Sequence, residues 1–400
     1  MSTPLLYPRP LPDLSEFAKT GLRDDGDPQL MHLAFWPNSA SLEFKGDTDI
    51  LIAGCGANAA ARYALNHPNC RVTGIDHCPE AITHENTLKE KHGLSNLTLR
   101  TMALENASVL EAQYDLIDLT EVLHFTENPG AILKTLTAKL KPDGVIYINV
   151  FGQHGLYGVS LLRELFEQLG YTQTPEDLSE MRDTLKLLAN NHLAAPYLYN
   201  SPELQSEAGV HSLFTDSPQA SFRNGVSVNH CMTLLDEAGL QFQGWTEPYY
   251  YSPIGQIKPD TDFYNALMAL PERERWQAME LFHGGIFRHR FYVCRTDRPA
   301  EHYQISFEGD DFLDYIPVRR ISQIDPGSDE KAPLIQRPPM PAMTLDIPRA
   351  RLFNLTNGEN TIRQILEKVE FEGDWQGKIN FAQNFYSVLF QMGYAFFKMP

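Results

Sequence analysis

Two glycines and a carboxylate, each directly after an apolar run, are the residues of this sequence with the clearest chemical use. The run Asp49-Ile-Leu-Ile-Ala53 ends in Gly54-Cys55-Gly56, and the run Arg71-Val-Thr-Gly-Ile75 is followed by Asp76. Glycines allow a ligand to approach the backbone closely, and the helix that follows offers free N–H groups at its N-terminus. A carboxylate roughly 20 residues further on can accept hydrogen bonds from both hydroxyls of a ribose. The spacing predicts a site for an adenosine-containing ligand.

Two alternatives to this interpretation follow from the same residues. The glycines would also suit a tight turn that binds nothing. A dinucleotide site would use Gly-x-Gly-x-x-Gly, but position 59 is Ala59. A pyrophosphate needs the close approach that a third glycine allows, whereas a ligand without phosphates does not. The motif therefore favours S-adenosylmethionine over NAD.

The elements that must position these residues alternate regularly along the chain. Helical stretches at 58–66, 79–92, 129–140 and 227–238 alternate with short apolar runs. The runs predict strands at 49–53, 71–75, 97–101, 114–119, 144–150, 240–245 and 286–294. Such alternation is typical of an α/β protein with a parallel, doubly wound sheet.

Four motifs in this order resemble those of class I S-adenosylmethionine-dependent methyltransferases. They are Asp49–Gly56, Gly74-Ile-Asp76, Tyr114–His124 with Asn128-Pro129, and Leu140–Gly144. Tyr7-Pro8-Arg9 and Ala238–Trp245 further resemble bacterial methyltransferases that are often fused to tetratricopeptide repeats, although no repeats are present here. The resemblance covers about residues 5–298. It implies a seven-stranded Rossmann-like methyltransferase sheet, S-adenosyl-L-methionine as the cofactor, and methyl transfer as the activity.

The resemblance also implies which residues bind the cofactor. They are Gly54, Cys55, Gly56, Asn58, Asp76, His77, Glu105, Thr120 and Glu121. Two positions depart from the family pattern. Ala103 stands where many members have an Asp for the adenine amino group, so Glu105 is the candidate substitute and a backbone N–H alone is the alternative. Phe125 stands where many have a second His.

His124 is the candidate catalytic residue, because it follows the fourth strand, where the methyl group usually points. It would act as a general base, and a structural histidine at a turn is the alternative. The candidate substrate-binding residues are Tyr7, Arg9, Phe151, Tyr157, Tyr199 and Arg223. Aromatic faces among them could hold a cationic acceptor, and packing between a lid and the sheet is the alternative for each.

The composition along the chain predicts four parts. Residues 1–45 form an N-terminal segment that covers the cofactor site, and residues 46–298 form the methyltransferase domain with a lid insertion at 152–226. Residues 299–345 form a Pro-rich linker, and 346–400 a small, mainly helical C-terminal accessory module. The insertion is polar and interrupted by prolines, so we expect little core of its own and a mobile lid that selects the acceptor.

Charge and cysteine content narrow the functional classes. Lys and Arg total 33 against 51 Asp and Glu, a formal charge of -18, which argues against nucleic acid as a partner. No apolar run is long enough for a membrane span, and no secretory signal is visible. The five scattered cysteines argue against a disulfide framework or a metal site, so a cytoplasmic location is expected.

The predicted function is methyl transfer to a small molecule, peptide or protein side chain by in-line displacement. A non-catalytic cofactor- or partner-binding protein on the same scaffold and an NAD-dependent oxidoreductase are the alternatives. The acceptor atom and the oligomeric state are left open by the sequence.

Overall fold

The computed structural model describes residues 6, 9–16, 26–199, 201, 206–215, 220–320, 323–324, 333–338, 340–370 and 373–400. The chain divides into two compact units. The sheet unit comprises 1–27, 45–242 and 280–297, and the C-terminal unit comprises 28–44, 243–279 and 298–400.

A seven-stranded sheet with the order β3-β2-β1-β4-β5-β7-β6 organises the sheet unit. Its strands are β1 (Asp49–Ala53), β2 (Arg71–Asp76), β3 (Leu97–Thr101), β4 (Tyr114–Thr120), β5 (Leu140–Phe151), β6 (Leu240–Trp245) and β7 (Arg288–Arg295). The pairs from β3 to β5 are parallel, and β7 runs antiparallel to β5. The predicted α/β fold with a doubly wound, Rossmann-like sheet is confirmed.

The helices connect these strands or belong to the insertion and the C-terminal unit. In chain order they are α1 (Pro28–Phe35), α2 (Ala59–Asn66), α3 (Pro79–His92), α4 (Pro129–Thr137), α5 (Tyr157–Gln168), α6 (Pro175–Leu185), α7 (Ala195–Tyr199), α8 (Glu207–Val210), α9 (Val228–Ala238), α10 (Asp262–Met268), α11 (Glu272–His283), α12 (Ile347–Asn354), α13 (Ile362–Lys368) and α14 (Trp375–Gln391).

The central strands are apolar because both faces of this part of the sheet are buried. Ile50 and Leu51 of β1 and Leu116 and Ile117 of β4 are fully buried. Continuous apolar runs are expected for parallel strands covered on both sides. Because these strands run parallel, their carboxyl ends and the polar residues there lie at one edge of the sheet.

The insertion has a hydrophobic core of its own, so the prediction that it would have little core is wrong. Its core residues pack with Phe151 of β5 and are Leu156, Val159, Leu162, Phe166, Leu178, Met181, Ala194, Tyr197, Val210, Leu213 and Phe214. They lie at helical spacing between polar residues, so the average composition hides them. The buried Arg163 guanidinium donates to the carbonyls of Leu213 and Arg223. The ends of the insertion meet where Gly152 pairs with Val226.

The C-terminal unit has a separate core built largely from α12, α13 and α14. The strands of this unit are β8 (Ile316–Arg319), β9 (Gln323–Ile324), β10 (Leu334–Gln336), β11 (Met343–Thr344) and β12 (Ala395–Lys398). β12 pairs with β8. The predicted helical module is confirmed. Phe312, Ile335 and Leu345, within the stretch predicted to be a linker, are buried in this core, and the domain boundaries stay predictions.

Within the described ranges, none of the helices has both the length and the apolar character that crossing a membrane requires. In the same part of the chain, no group of three or more His, Cys, Asp or Glu side chains is placed to hold a metal ion.

Candidate functional site

The glycine turn after β1 is held by hydrogen bonds to the neighbouring strand. The N–H groups of Gly54 and Cys55 donate to the carbonyl of Ile75 at 2.8 and 3.0 Å. Gly54 has φ of 79° and Gly56 has φ of 55°, a region that favours glycine. A Cβ on Gly54 would also lie 2.7 Å from Val122 Cγ2. Both conformation and space therefore require glycine at position 54.

The Asp76 carboxylate at the end of β2 faces this turn. Its Oδ2 accepts the N–H of Gly56 at 2.9 Å, and its Oδ1 accepts the N–H of Cys78 at 2.8 Å. The side chain of His77 is mostly exposed, and its Nδ1 lies 3.5 Å from Asp76 Oδ1. The structure thus brings the predicted turn and the predicted carboxylate together at one edge of the sheet.

Glu85 is a buried carboxylate next to the turn that sequence reasoning missed. Its two oxygens accept the N–H groups of Ala60 and Ala61 at 2.9 Å each, in the first turn of α2. Burial raises the pKa of Glu85 to about 8, although these two donors oppose the shift. The sequence does contain a sign of this burial, because the spacing of Glu85 from Ile82 and Leu88 places it on the apolar face of α3. A carboxylate on such a face needs a specific partner.

Asn58 holds the chain's own N-terminal segment. Its Oδ1 accepts the N–H of Leu11 at 2.8 Å, and its Nδ2 donates to the carbonyl of Arg9 at 3.0 Å. Lys91 of α3 also donates to the carbonyl of Pro12 at 2.7 Å. The segment therefore runs beside the glycine turn and α3. The Arg9 side chain is exposed, and Tyr7 lies outside the described residues.

Cys55 and Glu105, two predicted cofactor-binding residues, differ in the exposure of their side chains. Cys55 is buried, and burial raises the pKa of its thiol well above the ordinary value. Its sulfur lies 3.2 Å from where a Cβ on Gly74 would stand, so the thiol faces the interior. Glu105 is exposed in a short 3-10 helix, Leu104–Val109, which Ala103 precedes.

The chain leaves β4 through a residue in an unusual backbone conformation. Glu121 has φ of 57°, and its N–H donates to the carbonyl of Asn149 at 2.9 Å. Its carboxylate accepts Nε of Arg288 at 2.6 Å. The guanidinium of Arg288 also lies 5.7 Å from the ring centroids of both Phe151 and Tyr197. Arg288 is the second site residue that the sequence did not reveal.

His124 is buried in a short 3-10 helix after β4. Its ring stacks on Phe151 with centroids 3.8 Å apart and planes inclined by 21°. Burial, and then the nearby charges of Arg288 and Arg163, lower the pKa of His124 to about 3. Neither ring nitrogen has a hydrogen-bond partner among the residues that the structure describes. The imidazole is therefore neutral, and its role as a base stays a prediction.

The remaining candidates lie at the end of β5 or on the insertion and differ in their surroundings. Phe151 is buried against His124. Tyr157 and Tyr199 are exposed, and the Tyr199 hydroxyl donates to Asn190 Oδ1 at 2.5 Å. Arg223 donates to the Phe214 carbonyl at 3.0 Å and pairs with a carboxylate of α5. A role for these residues toward an acceptor stays a prediction.

Sequence comparisons find relatives for part of the chain. Residues 51–146 match the family model described as "Methyltransferase domain". An uncharacterized protein of Synechococcus is 24% identical over 290 residues, which cover 68% of this chain and 66% of that protein. A ubiquinone biosynthesis O-methyltransferase of Actinobacillus pleuropneumoniae is 27% identical over 108 residues, 26% of this chain. The chain spans 46% of the length of that enzyme.

A solved structure shares the fold over nearly the whole chain. PKMT2 from Rickettsia typhi superimposes with a TM-score of 0.64 at 16% identity, covering 94% of this chain and 75% of that one. The same protein in complex with AdoHcy gives a TM-score of 0.60, also at 16% identity, covering 94% and 76%. At this identity the likeness shows a common fold.

Proposed function

We propose that this chain, which contains a class I S-adenosylmethionine-dependent methyltransferase domain, transfers the methyl group of that cofactor to a small molecule, peptide or protein side chain. One observation carries the proposal. The Asp76 carboxylate is held against the Gly54–Gly56 turn at the shared edge of β1 and β2. A carboxylate fixed beside a close-approach turn suits a ribose, and this edge is where open α/β sheets bind ligands.

The residues at this edge fit the parts of S-adenosylmethionine. The backbone of Gly54, Cys55 and Gly56 would approach the ligand, and Asp76 would accept the ribose hydroxyls. His77 and Glu105 would line the nucleoside, with Ala103 contributing its backbone. Glu121 would lie toward the methionine part, where a carboxylate suits an ammonium group, and Thr120 would lie between this part and the acceptor. Asn58 would act through the N-terminal segment that it holds.

When bound, this cofactor supplies an electrophilic methyl group on a sulfonium. The protein's task is then to align the acceptor atom and to exclude water, since positioning supplies much of the rate of a displacement. The packed insertion after β5 and the N-terminal segment beside the glycine turn are the elements available for this task.

A methyl-transfer assay tests the proposal. The purified chain would be incubated with methyl-tritiated cofactor and a cell extract, and macromolecular and small-molecule fractions would be counted. We expect label in one fraction with the native chain and at least tenfold less with Asp76→Ala, which loses a charged acceptor for the ribose. Equal label with and without the native chain would contradict the proposal.

A non-catalytic binding protein on this scaffold is the second candidate. It is favoured by His124, because a buried imidazole of lowered pKa is a weak base near neutral pH. This candidate predicts binding of S-adenosylhomocysteine together with no label in any fraction.

A further inference from the structure

Buried polar atoms of three side chains lack partners where β4 and β5 end. They are Oγ1 of the half-buried Thr120, Oδ1 of Asn149 and both ring nitrogens of His124, and none of these atoms has a hydrogen-bond partner in the part of the chain that the structure describes. Thr120 and Asn149 are register neighbours on the paired strands, and the 3-10 helix that contains His124 follows β4 after two residues. Asn149 and His124 are each more than nine-tenths buried.

Unpaired polar atoms at such depth are costly. Leaving one buried donor or acceptor unsatisfied costs about 1–3 kcal/mol, so a group of them in one place indicates a ligand that pairs with them. The sheet edge on which they lie is the edge that carries the Asp76 carboxylate. An acceptor must approach the methyl group of the cofactor from this edge.

The charged side chains named near this group are engaged with other parts of the fold. The Glu121 carboxylate is paired with Arg288, and the pKa of His124 is lowered to about 3, so the imidazole is uncharged. Arg163, whose charge also contributes to that shift, donates to carbonyls of the insertion. The surroundings therefore favour an uncharged ligand over an ion, because burial disfavours the charged form of an amine or a carboxyl group.

Each of the three unpaired side chains offers a hydrogen-bond acceptor. An amide oxygen only accepts, a neutral imidazole accepts at one nitrogen and donates at the other, and a hydroxyl both accepts and donates. A ligand with N–H groups can satisfy all three acceptors, whereas a carboxylate could pair only with the imidazole N–H and the hydroxyl and would leave the amide oxygen unpaired. An alcohol offers one donor and needs a base to become nucleophilic, and His124 is poorly suited to that task.

We propose that Thr120, His124 and Asn149 form the acceptor site, and that the acceptor is a primary amine bound in its neutral form. The inference rests on the proposed methyl transfer and names its substrate class. The amine N–H groups donate to Asn149 Oδ1 and Thr120 Oγ1, which leaves the nitrogen lone pair for the methyl group. That lone pair forms the new C–N bond, the C–S bond breaks with its electron pair remaining on sulfur, and the methylated ammonium releases a proton to water.

Blocking amines in the acceptor pool tests the substrate class. One half of a cell extract is acetylated with an N-hydroxysuccinimide ester and then treated with hydroxylamine to free the hydroxyls, and the other half is mock-treated. Both halves are incubated with the native chain and methyl-tritiated cofactor. We expect label in the mock half that withstands mild alkali, and at least tenfold less label in the acetylated half.

The other outcomes of this assay separate the two proposals. Label that persists after acetylation, or that alkali releases as methanol, would overturn the amine while methyl transfer stands. Absence of label from both halves would overturn methyl transfer itself and the amine site with it.

A substitution at Asn149 tests whether its amide oxygen belongs to the acceptor site. Asn149→Leu removes the acceptor oxygen, and we expect label incorporation into the mock half to fall by about tenfold or more. Asn86→Leu, at an exposed asparagine of α3, is the matched control and should keep the native rate. Calorimetry with S-adenosylhomocysteine should give the native affinity for each variant. An unchanged rate in a folded Asn149→Leu variant would overturn the site, and if that variant does not fold, the acetylation experiment decides.

Discussion

Removing the carboxylate of Asp76 is expected to weaken cofactor binding while the sheet remains folded. In the native chain the carboxylate accepts the N–H groups of Gly56 and Cys78. Asp76→Ala removes both acceptors, which costs about 1 kcal/mol of stability for each bond. It also removes a charged acceptor for the ribose, and each such hydrogen bond contributes about 1.5–3 kcal/mol. The dissociation constant should therefore rise by about 10- to 150-fold for one lost bond, at about 1.4 kcal/mol per tenfold.

A graded series measured by calorimetry with S-adenosylhomocysteine checks this prediction. Asp76→Asn keeps a neutral oxygen and should lie between the native chain and Asp76→Ala. Asp115→Asn is the matched control. Asp115 also accepts a backbone N–H, that of Asp49, but it lies at the start of β4, at the edge of the sheet away from Asp76. Native affinity for all three variants would refute the ribose assignment. If Asp115→Asn lowers the affinity for S-adenosylhomocysteine as much as Asp76→Ala does, the effect is a general one on the sheet and not the loss of a ribose acceptor.

Three further predictions concern a buried carboxylate, the N-terminal segment and the insertion. The pKa of Glu85 is raised from 4.5 to about 8, so the folded chain keeps a proton that the unfolded chain loses between these values. The contribution of Glu85 to stability is therefore lost as pH rises through this window, at up to about 1.4 kcal/mol per pH unit. Glu85→Gln should reduce the fall of the unfolding free energy with rising pH, as measured by urea denaturation. Parallel curves of unfolding free energy against pH for the variant and the native chain would contradict this. Asn58→Ala removes two hydrogen bonds to the N-terminal segment, so the amide of Leu11 should exchange its hydrogen about tenfold faster or more; an unchanged exchange rate would contradict this. Replacing 152–226 with a short Gly-Ser linker should spare S-adenosylhomocysteine affinity and abolish methyl transfer, and full turnover would mean that the acceptor is chosen elsewhere.

The part of the fold that the sequence predicts best is the part whose signals are local. Strands β1, β3 and β6 have the predicted bounds, because each apolar run is ended by nearby glycines or polar residues. The Gly54–Gly56 turn and Asp76 meet as expected, because consecutive parallel strands bring their carboxyl ends to one edge. By contrast, the mainly helical module predicted at 346–400 ends in a strand, because its last helix, α14, ends at Gln391. Gly393, with φ of 71°, then leads into β12.

The residues that the sequence did not reveal depend on contacts between distant segments. Arg288 meets Glu121 across 167 positions because β7 lies beside β5, an order that the sequence does not state. The neighbouring positions of Thr120 and Asn149 depend in the same way on the register of β4 against β5. The core of the insertion escaped prediction because its apolar residues come from several short helices. Hydrophobic periodicity is informative only within one helix or strand, whereas these contacts form between residues of several different helices and strands.

The most direct test of the account is a calorimetric titration of the purified native chain with S-adenosylhomocysteine and, separately, with NAD. A ribose carboxylate beside a glycine turn that lacks the third glycine should bind S-adenosylhomocysteine at one site per chain and NAD not measurably. Binding of NAD in preference to S-adenosylhomocysteine, or of neither, would contradict the claim that this sheet edge holds S-adenosylmethionine.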